Sequence, residues 1–388
     1  MGDVVETSSQ GWLSRIMESI KGVLIGLVLV VAAFPLLFVN EGCAVKIAKG
    51  LAEGRGQVVA GNAAAVNPAL EGKLVHLTGR AVSKNGVKDA VLGVAAPGAI
   101  RLERTVEMFQ WVEKTESKKE KKLGGAEETV KTTTYVKEWS SSEVSSADFK
   151  IKEKDGERVV NPPMPMKGGS VVANDVTVGA HSLTDELLHQ LTGGTPLVLD
   201  AAALASMPES IKARARLHDG GIFVGDPGSP RVGDLRIKLT KADATDVSIV
   251  AKQTGNALGA WQTSKGTSIA MLDKGTKSSA EMFSSAEASN VTRTWVVRLL
   301  GFLCMLIGFS MIFKPLSTVA DVVPFIGSVV GMGTGVVAFA LSAPLALITI
   351  AVAWIVYRPL LGIALLVAGI GVFVGIFVLA KKRQAAAH

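Results

Sequence analysis

Cysteine, tyrosine and histidine are scarce in this chain of 388 residues, which contains two cysteines, two tyrosines and five histidines. Two cysteines, Cys43 and Cys304, cannot build a disulfide framework, so any folded domain must be held by its hydrophobic core. The histidines are dispersed, and no cluster of His, Cys and carboxylates has metal-ligand spacing. HExxH and GxSxG motifs are also absent. The sequence therefore predicts no metal site, no cofactor and no catalytic residues.

Charge is missing from four long stretches, residues 22–39, 299–313, 329–357 and 360–380. About 20 apolar residues are needed to cross the hydrocarbon core of a bilayer, and the second stretch comes near that length when residues 295–297 are counted with it. We therefore predict four transmembrane helices, at 22–39, 295–314, 329–357 and 360–380. A cleaved signal peptide is the alternative for the first, but its apolar run is long and no small-residue cleavage site follows it.

Basic residues near the predicted spans indicate their orientation, because short cytosolic flanks are enriched in Lys and Arg. Arg15, Lys21, Lys314 and the basic residues 381–383 all fall on one side when both termini are cytosolic. Lys46, Lys49, Arg55 and Arg293 argue for the opposite orientation. The predicted order is a cytosolic amphipathic segment 1–21, the first span, an extracytoplasmic domain 40–294, the second span, a cytosolic loop 315–328, the last two spans and a cytosolic tail 381–388.

The spans have no Asp, Glu, Lys or His in their interiors, which argues against a pump or transporter. They contain small residues instead, and close approach at small residues is a main source of helix packing in lipid. These predicted packing or oligomerisation positions are Gly22, Gly26, Gly327, Gly331, Gly335, Gly371 and Gly375. They join either the spans of one chain or separate copies. The predicted membrane-interface anchors are Trp12, Trp295, Arg298, Trp354, Tyr357 and Arg358.

Residues 40–294 have the composition of a folded domain and mostly strand-like periodicity. We predict strands at 73–78, 100–112, 131–139, 176–180, 222–224, 235–239 and 247–252. A hairpin is predicted around Leu123-Gly124-Gly125, and Ser182 to Asp185 resembles a capping box that opens a helix through Leu191. The expected fold is a β-rich α+β domain. A weak similarity between residues 72–78 and 233–240 suggests a duplication into two related β lobes.

A formal net charge of +7 does not by itself predict binding to nucleic acid. The four lysines in residues 118–122 lie among the glutamates of residues 113–128, which is typical of a solvated hairpin tip. A hydrolase is also considered at Ser229 to Asp234, but a turn explains these residues without chemistry. Neither nucleic-acid binding nor catalysis is therefore expected.

Several sequence blocks, in order from the first span to the last, resemble the LUMA family, transmembrane protein 43. They include Asn40-Glu41-Gly42, a block with Glu107, Gln110 and Trp111, the pair Gly233-Asp234, and Trp354 with Tyr357-Arg358-Pro359. The resemblance implies a four-pass protein with a large lumenal domain, found in animals in the endoplasmic reticulum and inner nuclear membrane. It also implies a self-associating scaffold that contacts emerin and lamins.

The Ala- and Gly-rich loops and the lysine-rich tip fit a bacterial relative, for which lamins and emerin are excluded and the inner membrane is the expected location. The leading hypothesis is a membrane scaffold whose partners are lipid, further copies of the chain and other membrane proteins. An oligomeric channel or a lipid-binding, lipid-handling protein is the second hypothesis. A membrane-tethered hydrolase is the third.

Overall fold

The computed structural model describes residues 4–360 and 362–364. Its contacts divide the chain into two compact units. The first contains Ala52–Lys118 and Val130–Ser284 together with the residues up to Thr7, and holds most of the β structure. The second contains Ser8–Leu51, Lys119–Thr129 and the residues from Ser285 onwards, and is mainly helical. The predicted fourth span, 360–380, lies outside the described residues apart from residues 360 and 362–364.

The three long helices lie towards the two ends of the described chain, and most of the strands and the three short helices lie between α1 and α5. The helices are α1 (Trp12–Gln57), α2 (Asp185–Leu188), α3 (Ala201–Ala205), α4 (Glu209–Lys212), α5 (Ser279–Ala320) and α6 (Pro324–Tyr357). The strands are β1 (Val4–Gln10), β2 (Val59–Ala60), β3 (Leu74–Ser83), β4 (Val87–Lys88), β5 (Ala95–Ala96), β6 (Arg101–Lys121), β7 (Glu127–Ser140), β8 (Glu153–Lys154), β9 (Glu157–Arg158), β10 (Gly169–Val172), β11 (Val176–Val178), β12 (His181–Leu183), β13 (Thr195–Leu197), β14 (Ala215–His218), β15 (Gly221–Val224), β16 (Leu235–Ala242), β17 (Thr245–Thr254), β18 (Ala257–Gly259), β19 (Trp261–Gln262), β20 (Ser268–Ile269) and β21 (Met271–Lys274).

Three of these helices, α1, α5 and α6, are long and apolar enough to cross a membrane. Each extends beyond its predicted span. The predicted segment 1–21 joins the first helix only from Trp12 onwards, since Val4–Gln10 form strand β1, and α1 continues past the span to Gln57. The predicted loop 315–328 shrinks to a turn between Ala320 and Pro324. Pro324 can start α6 because the first helical position needs no amide hydrogen. The helices pack around Leu37, Met305 and Ala346.

Strand β6 shows why the sequence forms a half-buried sheet. Along its first ten residues the inward positions alternate with outward ones, so that Leu102, Val106 and Met108 are buried. From Glu113 onwards the same strand is polar on both faces and is largely exposed. Its partners in the eight-stranded sheet run in the order β1-β7-β6-β16-β15-β14, with β10 and β13 at the side.

A second, seven-stranded sheet runs in the order β2-β3-β11-β12-β18-β17-β21, and β3 also pairs with β17. The pairings therefore close five strands into a ring. Most pairs are antiparallel, whereas β12 and β18 run parallel. Side chains from both sheets, such as Leu77 and Ile249 from this one and Val106 and Ile237 from the other, share one continuous core.

The two halves of the suggested duplication do not fold as two separate lobes. Strand β3, from the first half, pairs with β17 of the second, while β16 pairs with β6 of the first. Each half thus contributes a strand to the other half's sheet. The pattern of each strand specifies a buried face but not the partner that covers it, which long-range pairing decides.

The capping box predicted at Ser182 is wrong. Residues His181–Leu183 form strand β12, and α2 is a single turn whose N-cap, Thr184, makes no side-chain capping bond. Pairing with β11 and β18 outweighs the local helix signal. A capping box does occur at the start of α5, where Ser278 and Glu281 bond each other's amide groups. These bonds from Ser278 lower the pKa of Glu281.

Asp175 fixes the turn between β3 and β4, and its pKa is lowered mainly by the hydroxyl of Ser83, which donates to it at 2.5 Å. The amides of Lys84 and Asn85 also donate to this carboxylate. Because the folded pKa is depressed, this stabilisation is present above the unfolded pKa and is lost as pH falls through the folded one. We expect Asp175→Asn to cost about 1 kcal/mol at pH 7, with the difference from wild type shrinking in acid. Chemical unfolding of both proteins at several pH values measures it.

Candidate functional site: a polar node among three helices

The helices α1, α5 and α6 meet at a carboxylate that is 1% exposed, that of Glu41. Arg298 on α5 donates to both of its oxygens, at 2.7 and 2.9 Å. The indole nitrogen of Trp354 on α6 donates to one of them at 2.8 Å. Bidentate, charge-assisted bonds of this kind fix orientation as well as contributing energy. One carboxylate therefore links all three helices, and we call these three residues the polar node.

Aromatic rings cover the guanidinium of Arg298. It lies over the ring of Trp295 at 4.6 Å from the centroid and near that of Trp354 at 5.5 Å. Cation–π contacts add to an ion pair most where water is excluded. Arg298 was expected to extend towards the membrane interface; instead it turns inward to Glu41.

The residues beside Glu41 also join the helices. The amide of Asn40 donates to the backbone carbonyl of Thr294 on α5. A Cβ added to Gly42 would lie 2.6 Å from the ring of Tyr357, so any larger residue at this position would displace that ring. Phe38 packs against the same ring at 5.2 Å. The block Asn40-Glu41-Gly42 and the predicted anchors Trp295, Arg298, Trp354 and Tyr357 thus form one cluster. Arg358 is exposed just after α6 ends.

A second charged cluster lies at the beginning of α1 and the end of α5. Arg15 and the buried Asp321 form an ion pair at 2.6 Å, and the indole of Trp12 donates to the carbonyl of Thr318. Glycine is required next to Asp321, because a Cβ on Gly327 would overlap its carboxylate. Both partners of the ion pair lie in segments predicted to be cytosolic.

The tip of the β6–β7 hairpin, residues 119–129, contacts this second cluster. Lys121 pairs with Asp321 at 2.6 Å, and Glu127 pairs with Arg15 at 3.3 Å. The predicted topology places the tip on the opposite side of the membrane from Arg15 and Asp321. A hydrocarbon core of ~30 Å separates those sides. In a bilayer with the predicted sidedness, the pairs Lys121–Asp321 and Glu127–Arg15 cannot form. The Arg15–Asp321 pair can form, because both residues are on the same side.

The predicted packing glycines differ in what surrounds them. Gly26 is at the crossing of α1 and α5, where an added Cβ would lie 2.5 Å from the carbonyl of Gly308. Gly22 and Gly331 have looser neighbours, at 3.7 and 3.9 Å, and Gly335 has open space among the described residues. Gly371 and Gly375 lie outside the described residues. Gly301 and Gly308 were missed, although their seven-residue spacing on α5 was available as a signal.

The family-motif positions of the β domain converge on the middle of β6. Gln110 is fully buried and bonds the backbone of Ser142 and Val144. The backbone of Trp111 bonds the side chain of Asn161 in both directions. These bonds attach two loops to the sheet, which is a structural role.

Gly233 and Asp234 close the turn that leads into β16. Gly233 has a φ of +91°, and the buried Asp234 accepts from Arg214 and from the amide of Arg231. Glu107 pairs with Arg236 across the two strands. The turn at Ser229 is closed by Asp226, whose backbone and side-chain oxygens accept amide bonds. Among the described residues no group of three or more His, Cys, Asp and Glu could hold a metal ion.

Comparisons with known proteins agree with the motifs. The family model for Transmembrane protein 43 matches residues 108–359. Transmembrane protein 43 of Homo sapiens is 32% identical over 379 residues, covering 94% of this chain and 92% of that protein. The Rattus norvegicus protein is 32% identical over 92% of this chain and 90% of its own length, and a Drosophila melanogaster homolog is 29% identical over 90% and 93%. No solved structure matches. The chain is a multi-pass membrane protein that belongs to the transmembrane protein 43 family.

Proposed function

We propose that the chain is a membrane scaffold that self-associates and organises membrane proteins or membrane structure through its large non-cytosolic β domain. The observation that carries this proposal is the apolar surface left uncovered on the long helices. Against the part of the chain that the structure describes, 22%, 17% and 28% of the most apolar stretches of α1, α5 and α6 is buried. Lipid or other helices must cover the rest, since exposed apolar area of this extent is not stable in water.

Two further features support a scaffold without catalytic activity. The polar residues of the polar node bond one another, and the motif residues of the β domain hold loops and turns. Neither set leaves a nucleophile beside a base in the arrangement that acyl transfer needs. The partners proposed are membrane lipid, copies of the chain and other membrane proteins.

The face of α6 around Gly335 is the proposed contact between copies. Met332, Val336 and Phe339 beside it are all more than half exposed, and close backbone approach at a glycine favours helix association in lipid. We expect Gly335→Leu to lower the oligomer fraction at least tenfold in mild detergent, measured as mass by light scattering. Gly333→Leu, whose added Cβ also meets open space, is the matched control.

Three results separate the possibilities for this helix face. Loss of the oligomer with an unchanged melting temperature supports a contact between copies. Loss of folding in Gly335→Leu would show that the face packs within one chain. A strictly monomeric wild type in several detergents and in native lipid patches would contradict the scaffold.

A further inference from the structure

A groove of about 380 Å³ lies between α1 and α5. Its floor on one side is apolar, formed by Leu36, Val39 and Val297, all within the predicted spans. At the other end it is lined by Asn290 and Arg293, beyond the end of the apolar stretch. The groove therefore runs across the boundary between the hydrocarbon and the polar headgroup region.

Two asparagine side chains set the width of this groove. Asn40 on α1 donates to the carbonyl of Thr294 on α5, and Asn290 on α5 donates to the carbonyl of Ala44 on α1. These reciprocal bonds hold the two helices at a fixed distance. The neighbouring tryptophan, Trp295, is 62% exposed, and exposed tryptophans of membrane helices concentrate at the headgroup level. The polar end of the groove is therefore at the depth of lipid phosphates.

Arg293 supplies the charge at this end. Its side chain is exposed, and among the described residues no carboxylate pairs with it, in contrast to Arg298, whose charge is matched by Glu41. An amphiphile with a negative headgroup matches both the charge and the change from apolar to polar lining.

We propose that this groove binds an anionic phospholipid, with the phosphate beside Arg293 and the upper part of an acyl chain against Leu36, Val39 and Val297. The volume is at the lower end of the range for small-molecule sites, which suits a headgroup with part of its chains. The inference rests on the membrane placement of α1 and α5 and does not require self-association. It also assigns a role to Arg293, which takes no part in the polar node or in the proposed contact between copies.

The test is native mass spectrometry of the full chain in detergent, titrated separately with phosphatidylglycerol and phosphatidylcholine. We expect one phosphatidylglycerol to bind at least fivefold more tightly than phosphatidylcholine. Arg293→Gln should lower phosphatidylglycerol affinity about fivefold, the ratio for one basic side chain near anionic lipid. Lys49→Gln, which removes a charge outside the groove, should leave the affinity within twofold of wild type.

A second variant tests the groove without changing charge. Cys43 lines it and is exposed, so Cys43→Phe should weaken both lipids by filling the space. Equal binding of the two lipids by wild type, or equal losses from Arg293→Gln and Lys49→Gln, would overturn the proposal. If Cys43→Phe changed the oligomer mass but not lipid binding, a second copy of the chain would be the occupant of the groove, and the proposal would be overturned too. Lipid binding is counted on the monomer peak of the mass spectrum. A failure of the lipid proposal can therefore be told apart from a failure of self-association.

Discussion

Arg298→Met should destabilise the helical unit by about 3–5 kcal/mol, because it leaves the carboxylate of Glu41 buried without its cation. The remaining donor to Glu41 is the indole of Trp354, a neutral group that compensates only part of the lost charge. The measurement is thermal unfolding in detergent, with the protease resistance of the helices as the signal. Lys314→Met, an exposed basic residue later on the same helix, is the control and should change stability little.

The double variant Glu41→Gln with Arg298→Met sharpens this prediction. It removes both charges, so the penalty for an unpaired buried ion disappears, and replacing a buried pair by neutral groups is often close to neutral. We therefore expect the double variant to be more stable than Arg298→Met alone. If Glu41→Gln, Arg298→Met and the double variant all had the stability of wild type, the polar node would contribute nothing to the folding of the bundle.

Gly26→Ala should cost about 1–3 kcal/mol, since one added methyl group meets a backbone carbonyl that cannot move aside. The Cβ would lie 2.5 Å from the carbonyl oxygen of Gly308 and 3.0 Å from the Cβ of Met311. The helices can relieve this overlap only by separating along their whole contact. The melting temperature and the protection of α1 amides against exchange both measure the loss.

Gly22→Ala is the matched control one turn earlier on the same helix. There the added methyl would meet only the terminal carbon of Met311 at 3.7 Å, an ordinary contact with a flexible side chain. Alanine also favours helix over glycine by about 1 kcal/mol, so Gly22→Ala should be neutral or stabilising. Equal destabilisation by both substitutions would show that α1 and α5 do not cross closely at Gly26.

The sequence predicted the local features that depend on composition or on a period of two. Strands β3, β7, β16 and β17 and the start of β6 were placed within about five residues, whereas β6 continues to Lys121, well past its predicted end at residue 112. Charge-free stretches located the three described membrane helices. The hairpin at Gly124 and Gly125 was also predicted correctly, and both glycines have positive φ values. Such features need only a short window of residues.

The features that were missed depend on residues far apart in the chain. Glu41 was noted as a motif residue and Arg298 as an interface residue, but nothing in the sequence pairs positions separated by 257 residues. Asp321 was overlooked because a lone acid between two spans resembles an ordinary loop residue. The exchange of strands between halves, with β3 beside β17, is equally invisible to a local pattern.

The proposed sidedness places the β domain outside and the α5–α6 turn in the cytosol. The tip of the β6–β7 hairpin contains several Lys and Glu residues, and moving such charges through hydrocarbon costs several kcal/mol each. If α1 spans the bilayer, the tip stays outside, and its ion pairs with Arg15 and Asp321 are absent there. The Arg15–Asp321 pair would persist.

Cysteine accessibility in intact cells or sealed vesicles tests this sidedness most directly. In a background without Cys43 and Cys304, Leu123→Cys reports on the exposed hairpin tip and Val323→Cys on the α5–α6 turn. We expect a membrane-impermeant maleimide to label Leu123→Cys from outside and to label Val323→Cys only after the membrane is permeabilised. Labelling of both positions from the same side would contradict it, and would mean that the Lys121–Asp321 pair forms in the membrane-bound protein.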